Sequence, residues 1–343
     1  MTASEKKVSA YQSHDHSGIL LNANELSDNV DQAVMEEILQ AMPDVLFNRY
    51  PDNEYTKLKE SYAQVAGVEP DMVLCGNGSD QMLGLLIGCA ISKGKTLATL
   101  EPDFGMYDYY VSMHDGQMKK YAVEPDQLFD MNAFITFCQD CDMILFSNPN
   151  NPTGNIVTKE QIRQLLESVT DIPVVIDEAY MDFADESVIP LLNEYKNLFV
   201  TRTLSKAYGA AGIRLGFLLG CADNIRKLDA LNVPYSVSRT SERIGRILLD
   251  HAKEYEQKTE RTKQRRDAMV RFGKELEHIT IFPSHANFVL VQSERIDRIL
   301  DAMTKEHVVI REYKGKPYCR ITIGSEKENK LVKDILRKVD QDA

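Results

Sequence analysis

Short apolar runs alternate along this chain with stretches of helical spacing, and several runs stop abruptly on polar side chains. The runs near 72–75, 96–100, 143–146, 173–177, 198–201 and 214–219 read as buried strands. Between them, helical patterns run over about 30–41, closed by Pro43, and over about 79–89, 126–139 and 159–167. This repeated alternation predicts an α/β fold with a mostly parallel sheet between helices. Around Asn232-Val-Pro-Tyr-Ser236 the pattern changes. A long helix expected over about 238–272, with charge pairs such as Glu254 and Lys258, opens a smaller α/β unit. Strands at 286–291, 308–311 and 318–323 and helices at 294–303 and 326–339 would complete it. The expected division is an N-terminal arm over 1–29, a large domain over 30–235 and a small C-terminal domain over 236–343.

The polar ends of these strands carry candidate chemistry. In Thr201-Arg-Thr-Leu-Ser-Lys206, the amine of Lys206 stands beside the hydroxyls of Thr203 and Ser205, with Arg214 eight residues on. An amine suits condensation with an aldehyde, while hydroxyls and a permanently charged guanidinium suit phosphate oxygens. Pyridoxal phosphate combines both groups. A cofactor that withdraws electrons through a pyridinium also needs a buried carboxylate, and Asp177 ends the apolar run beginning at Pro173. Asn148-Pro-Asn-Asn-Pro-Thr-Gly154 follows another run and presents Asn151. In Gly76-Asn-Gly-Ser-Asp80, glycines before a helix leave backbone amides open to an anion, so Gly78, Ser79 and Asp80 join the expected phosphate cup.

These motifs, together with Leu21-Asn-Ala-Asn-Glu25 and Tyr318-Cys-Arg-Ile-Thr-Ile-Gly324, resemble the fold-type I pyridoxal phosphate-dependent aminotransferases over nearly the whole chain. The two ends are similar to the histidinol-phosphate branch of that family. The resemblance implies that Lys206 holds the cofactor, Asp177 binds its ring nitrogen, and Asn151 and Tyr180 donate to its phenolic oxygen. Phe104 would stack on the ring, where the family often has tyrosine. Tyr50 would reach the cofactor phosphate of a partner subunit, making the active site that of a homodimer. Tyr11, Asn22, Arg311 and Arg320 would contact substrate, the arginines holding its phosphate. The expected reaction exchanges the amino group of L-histidinol phosphate with 2-oxoglutarate in histidine biosynthesis. An aromatic amino-acid aminotransferase, a threonine-phosphate decarboxylase and a non-catalytic binding protein of the same fold remain alternatives. The chain departs from the family after Asn24-Glu25, where Leu26-Ser27 replaces the common Asn-Pro, and this bears on the inner substrate pocket.

Composition narrows the remaining classes. The 343 residues are 43% hydrophobic, enough for two cores, and the net charge of −12 comes without a basic block. No nucleic-acid or anionic-membrane partner is expected, and any anion must be bound locally. Charged residues in 1–13 and the lack of a long apolar segment lead to the expectation of a cytoplasmic protein. The six cysteines are expected as reduced thiols. Neither Cys138-x-x-Cys141 nor His14-Asp-His16 has the company of ligands that a metal site needs.

Overall fold

The computed structural model describes residues 17–126 and 129–342. Its first strand, β1 (Ile19–Leu21), is followed by seven strands of a large sheet: β2 (Val73–Asn77), β3 (Thr96–Glu101), β4 (Gln117–Ala122), β5 (Met143–Ser147), β6 (Val174–Asp177), β7 (Leu198–Thr203) and β8 (Leu215–Gly220). Four further strands, β9 (Thr280–Ile281), β10 (Phe288–Gln292), β11 (Val308–Glu312) and β12 (Tyr318–Thr322), lie in a second sheet.

The large sheet has the order β2-β8-β7-β6-β5-β3-β4, and only β8 runs against its neighbours. Its central strands are buried on both faces, which explains their unbroken apolar sequences. Alternation still sorts them: Ile144, Phe146, Val174 and Ile176 enter one core cluster, whereas Met143, Leu145 and Val175 enter another. Strand β4 forms one edge, where Lys119 and Lys120 discourage further pairing.

The second sheet has the order β1-β11-β12-β10-β9, with β1 parallel to β11 and the other pairs antiparallel. The N-terminal segment is thus tied to the far end of the chain. Ile299 and Met303 from helix Ile296–Lys305 share a core with Val332, Ile335 and Leu336 from helix Glu326–Gln341 and with Val289, Val291 and Ile321 of the sheet.

Two helical expectations need correction. The span 238–272 forms two helices, Arg239–Asp250 and Ala252–Gly273, divided at His251, whose backbone sits at φ −98°, ψ 22°. His251 hydrogen-bonds Glu37 and Glu254 at this joint. The helix expected from about 126 begins at Met131, where the Asp130 side chain accepts from the Ala133 amide and satisfies a helix-end donor.

Candidate active site

Three adjacent strands determine the floor of the site. Ser147, Asp177 and Thr201 stand side by side in register at the carboxyl ends of β5, β6 and β7. The loops after these strands bring Asn151, Tyr180 and Lys206 to the same end of the sheet, where open α/β sheets leave a crevice. A cleft of about 690 Å³ lies there. It is lined by Asn22, Ser79, Asp80, Phe104, Asn151, Asp177, Tyr180, Thr203, Ser205, Lys206, Arg214, Arg311 and Arg320.

Lys206 Nζ donates to the Ala23 carbonyl at 2.8 Å and lies 5.8 Å from the Tyr180 ring centroid. Its side chain reaches the cleft surface, yet burial lowers its pKa to about 8, with Arg320 adding to the effect. A substantial neutral fraction is therefore available near physiological pH, as condensation with a carbonyl requires.

Asp177 is buried and accepts from Thr201 Oγ1 at 2.8 Å and from Tyr107 OH at 2.9 Å. Burial raises its pKa to about 6, while these two hydrogen bonds pull it downward. The buried Tyr107 phenol is itself pushed well above its usual range, so it remains a donor. The sequence motifs assigned Tyr107 no part in the site.

Asp103 also went unassigned. It accepts from the Phe104 amide at 2.7 Å, from the Ser147 amide at 3.1 Å and from the Ser147 hydroxyl. Ser147 Oγ then accepts from the Asn151 amide at 2.9 Å, which anchors the asparagine loop to the strand end. Burial pushes the Asp103 carboxyl up to about 8.

At the other side of the cleft, β8 brings Arg214 over the turn before helix Gly78–Ala90. Arg214 adopts a left-handed conformation, φ 51° and ψ 56°, which costs a non-glycine residue about 1–2 kcal/mol. The result is a close cradle: a Cβ on Gly78 would meet Arg214 Nη2 at 2.8 Å, and one on Gly216 would meet the Ser79 amide nitrogen at 2.2 Å. Thr203 Oγ1 donates to Ser205 Oγ at 2.9 Å beside it. Guanidinium, hydroxyls and a helix N-terminus thus converge on a space suited to phosphate. With Lys206 and Asp177 at the same cleft, this donor set fits pyridoxal phosphate.

The second sheet supplies the outer wall. Arg320 Nη1 donates to Asn151 Oδ1 at 2.5 Å, and Arg320 Nη2 donates to the Asn22 carbonyl at 2.6 Å. Arg311 is its register partner across β11 and β12 and packs over the Tyr313 ring. Tyr50 stands apart from its own chain's cleft: it is 75% exposed and stacked on Tyr235, with ring centroids 4.6 Å apart. Tyr11, His14 and His16 lie outside the described residues. Among the described residues there is no cluster that could hold a metal ion and no helix long and apolar enough to cross a membrane.

The sequence profile of the family "Aminotransferase class I and II" matches residues 16–336. The chain belongs to this family. It is therefore a pyridoxal phosphate-dependent aminotransferase by membership. It is 33% identical over 326 residues to a histidinol-phosphate aminotransferase of Clostridium kluyveri, covering 94% of this chain and 93% of the relative. The crystal structure of histidinol-phosphate aminotransferase from Sinorhizobium meliloti with pyridoxal-5'-phosphate superposes with a TM-score of 0.86 at 23% identity, covering 94% and 91% of the two chains. L-threonine-O-3-phosphate decarboxylase from Porphyromonas gingivalis gives 0.80 at 20% identity, covering 93% and 98%. Both structural likenesses speak to the fold.

Proposed function

We propose that this aminotransferase converts L-histidinol phosphate and 2-oxoglutarate into imidazole acetol phosphate and glutamate, as a cytoplasmic homodimer. The carrying observation is the Arg311 and Arg320 pair. Residues directly opposed across antiparallel strands project from the same face, and both arginines line the cleft. Like charges in that arrangement repel, whereas a phosphate offers negative charge and several acceptor oxygens to both.

Pyridoxal phosphate, when bound, supplies the electron sink that acidifies the donor's Cα–H bond. Ser79, Thr203, Ser205 and Arg214 would hold its phosphate beside Gly78 and Asp80, and Phe104 would offer an aromatic face. The Asp177 carboxylate would hold a proton on its ring nitrogen, while Asn151 and Tyr180 would donate to its phenolic oxygen. Lys206 would hold the cofactor, and its amine would serve as the base that moves the donor's Cα proton. Asn22 and Tyr11 complete the substrate end.

The dimer proposal rests on the surface around Tyr50. Leu46 and Phe47, close to Tyr50 in sequence, and Tyr235, stacked on Tyr50, are also exposed and lie outside the chain's own cleft. Tyr50 from a second copy would complete the phosphate site. All six cysteines are free thiols, consistent with a reducing compartment.

The substrate reading is tested by comparing histidinol phosphate with histidinol and phenylalanine as amino donors, measuring glutamate formed from 2-oxoglutarate. Arg311→Ala should lower kcat/KM for the phosphorylated donor by about ten- to a hundredfold, the scale of a lost charged hydrogen bond. Equal use of histidinol by the parent would refute the clamp. Carbon dioxide release from threonine phosphate without glutamate formation would instead select the decarboxylase.

A further inference from the structure

We propose that Asn24 is a positioning residue that turns the Tyr180 hydroxyl proton into the cleft, and that Thr322 locks Asn24 in the orientation required. The inference deepens the cofactor reading and rests on it. Asn24 has no exposed surface and occupies a left-handed backbone conformation, φ 55°, that asparagine tolerates better than most residues. Its carbonyl accepts from Asn287 Nδ2 at 3.0 Å, tying this joint of the N-terminal segment to the loop before β10.

The hydrogen-bond directions come from the orientation of the Asn24 side-chain amide. The Asn24 backbone amide can only donate, and it does so to Thr322 Oγ1 at 3.0 Å. The same hydroxyl is 3.1 Å from the Asn24 side-chain oxygen, to which it donates its proton. The asparagine amide thus points its oxygen toward Thr322 and its nitrogen toward Tyr180. Asn24 Nδ2 then donates to Tyr180 OH at 2.9 Å. A phenol oxygen that accepts on this side keeps its single proton for another direction, and Tyr180 lines the cleft.

The consequence concerns the cofactor's phenolic oxygen. A donor aimed at that oxygen favours its anionic form and lowers the pH at which the conjugated chromophore loses its proton. If the phenol rotated to donate to residue 24 instead, that contribution would vanish. Thr322 and Asn24 are 298 positions apart, and Asn24 and Tyr180 are 156 apart, so the final strand of the second sheet controls a hydroxyl beside the first.

The test reverses the polarity at nearly constant shape. Asn24→Asp retains an acceptor for Thr322 but presents a second acceptor to Tyr180, inviting the phenol to donate away from the cleft. Parent, Asn24→Asp, Tyr180→Phe and the double variant would be loaded with pyridoxal phosphate, and the pH midpoint of their visible absorbance recorded. The charged neighbours of Tyr180, namely Lys206, Arg320, Asp177 and Asp80, are common to all four proteins. Asn24→Asp should raise the midpoint by about one unit, a tenfold change in proton affinity. In the Tyr180→Phe background the same substitution should shift it by less than about 0.3 unit, because the mediating hydroxyl is gone.

A shift of equal size in both backgrounds would identify a through-space charge effect and overturn the proposal, as would no shift in the parent background. If Asn24→Asp does not fold or load, Thr322→Val becomes decisive, because it frees the asparagine amide to turn. A raised midpoint that returns with Thr322→Ser supports the wiring, and an unchanged midpoint overturns it. Failure of the parent to develop any visible band would instead overturn the cofactor reading, and this inference with it.

Discussion

Replacing Tyr107 by phenylalanine should destabilise the cofactor-free protein much more at pH 8 than at pH 5. Tyr107 and Thr201 donate to opposite oxygens of Asp177, at 2.9 and 2.8 Å, in a buried setting. Burial raises the folded-state pKa of Asp177 from its ordinary 3.8 to about 6. The folded protein therefore binds the extra proton between those values. Stability associated with protonated Asp177 is fully present below its unfolded pKa and is lost as pH rises through the folded one, about 3 kcal/mol in all. Without the Tyr107 hydroxyl, the anion loses a hydrogen bond of about 1.5–3 kcal/mol and the neutral acid one of about 0.5–1.5 kcal/mol, so the folded pKa moves upward by about one unit, the difference between the two. At pH 8 the variant should show that full loss. At pH 5 Asp177 is protonated in both proteins, and the loss should fall to the roughly 0.5–1.5 kcal/mol of a neutral bond. Urea unfolding at the two pH values, with slopes compared, measures the difference. Equal destabilisation at both would refute the view that Tyr107 supports the charged carboxylate.

Two further outcomes follow from the cradle and the exposed tyrosine. Gly216→Ala would place a Cβ 2.2 Å from the Ser79 nitrogen and 2.4 Å from the Gly78 carbonyl carbon, so backbone must move. It should weaken pyridoxal phosphate binding at least about tenfold and destabilise by about 1–3 kcal/mol, and an unchanged cofactor titration would contradict the close-cradle account. Mixing inactive Tyr50→Ala and Lys206→Ala proteins should restore some activity in hybrid dimers. Verified hybrids without recovery would remove Tyr50 from a shared site.

The large sheet was legible because its central strands are covered on both faces and therefore spell continuous apolar runs. Asn151, Asp177 and Lys206 could be placed beyond strand ends because each follows such a run closely in sequence. Strand β4 was not visible in this way: it is a polar edge containing Lys119 and Lys120. The division at His251 was hidden because no proline or glycine interrupts the helical spacing there. Tyr107 bonds Asp177 across 70 positions, Asp103 bonds Ser147 across 44, and Asn24 bonds Tyr180 across 156. Periodicity locates a side chain on an element but does not specify which distant polar group it meets. Such pairings emerge only once the two sheets enclose a common cleft.

The central claim is that the amine at the end of β7 holds the cofactor while Asp177 and the Arg214 cradle position it. Its most direct test is to incubate the protein with pyridoxal phosphate, reduce with borohydride, digest, and locate the modified residue by mass spectrometry. The account predicts a pyridoxyl group on Lys206 and loss of covalent attachment in Lys206→Ala. A label at another lysine, or one that persists in that variant, would contradict it.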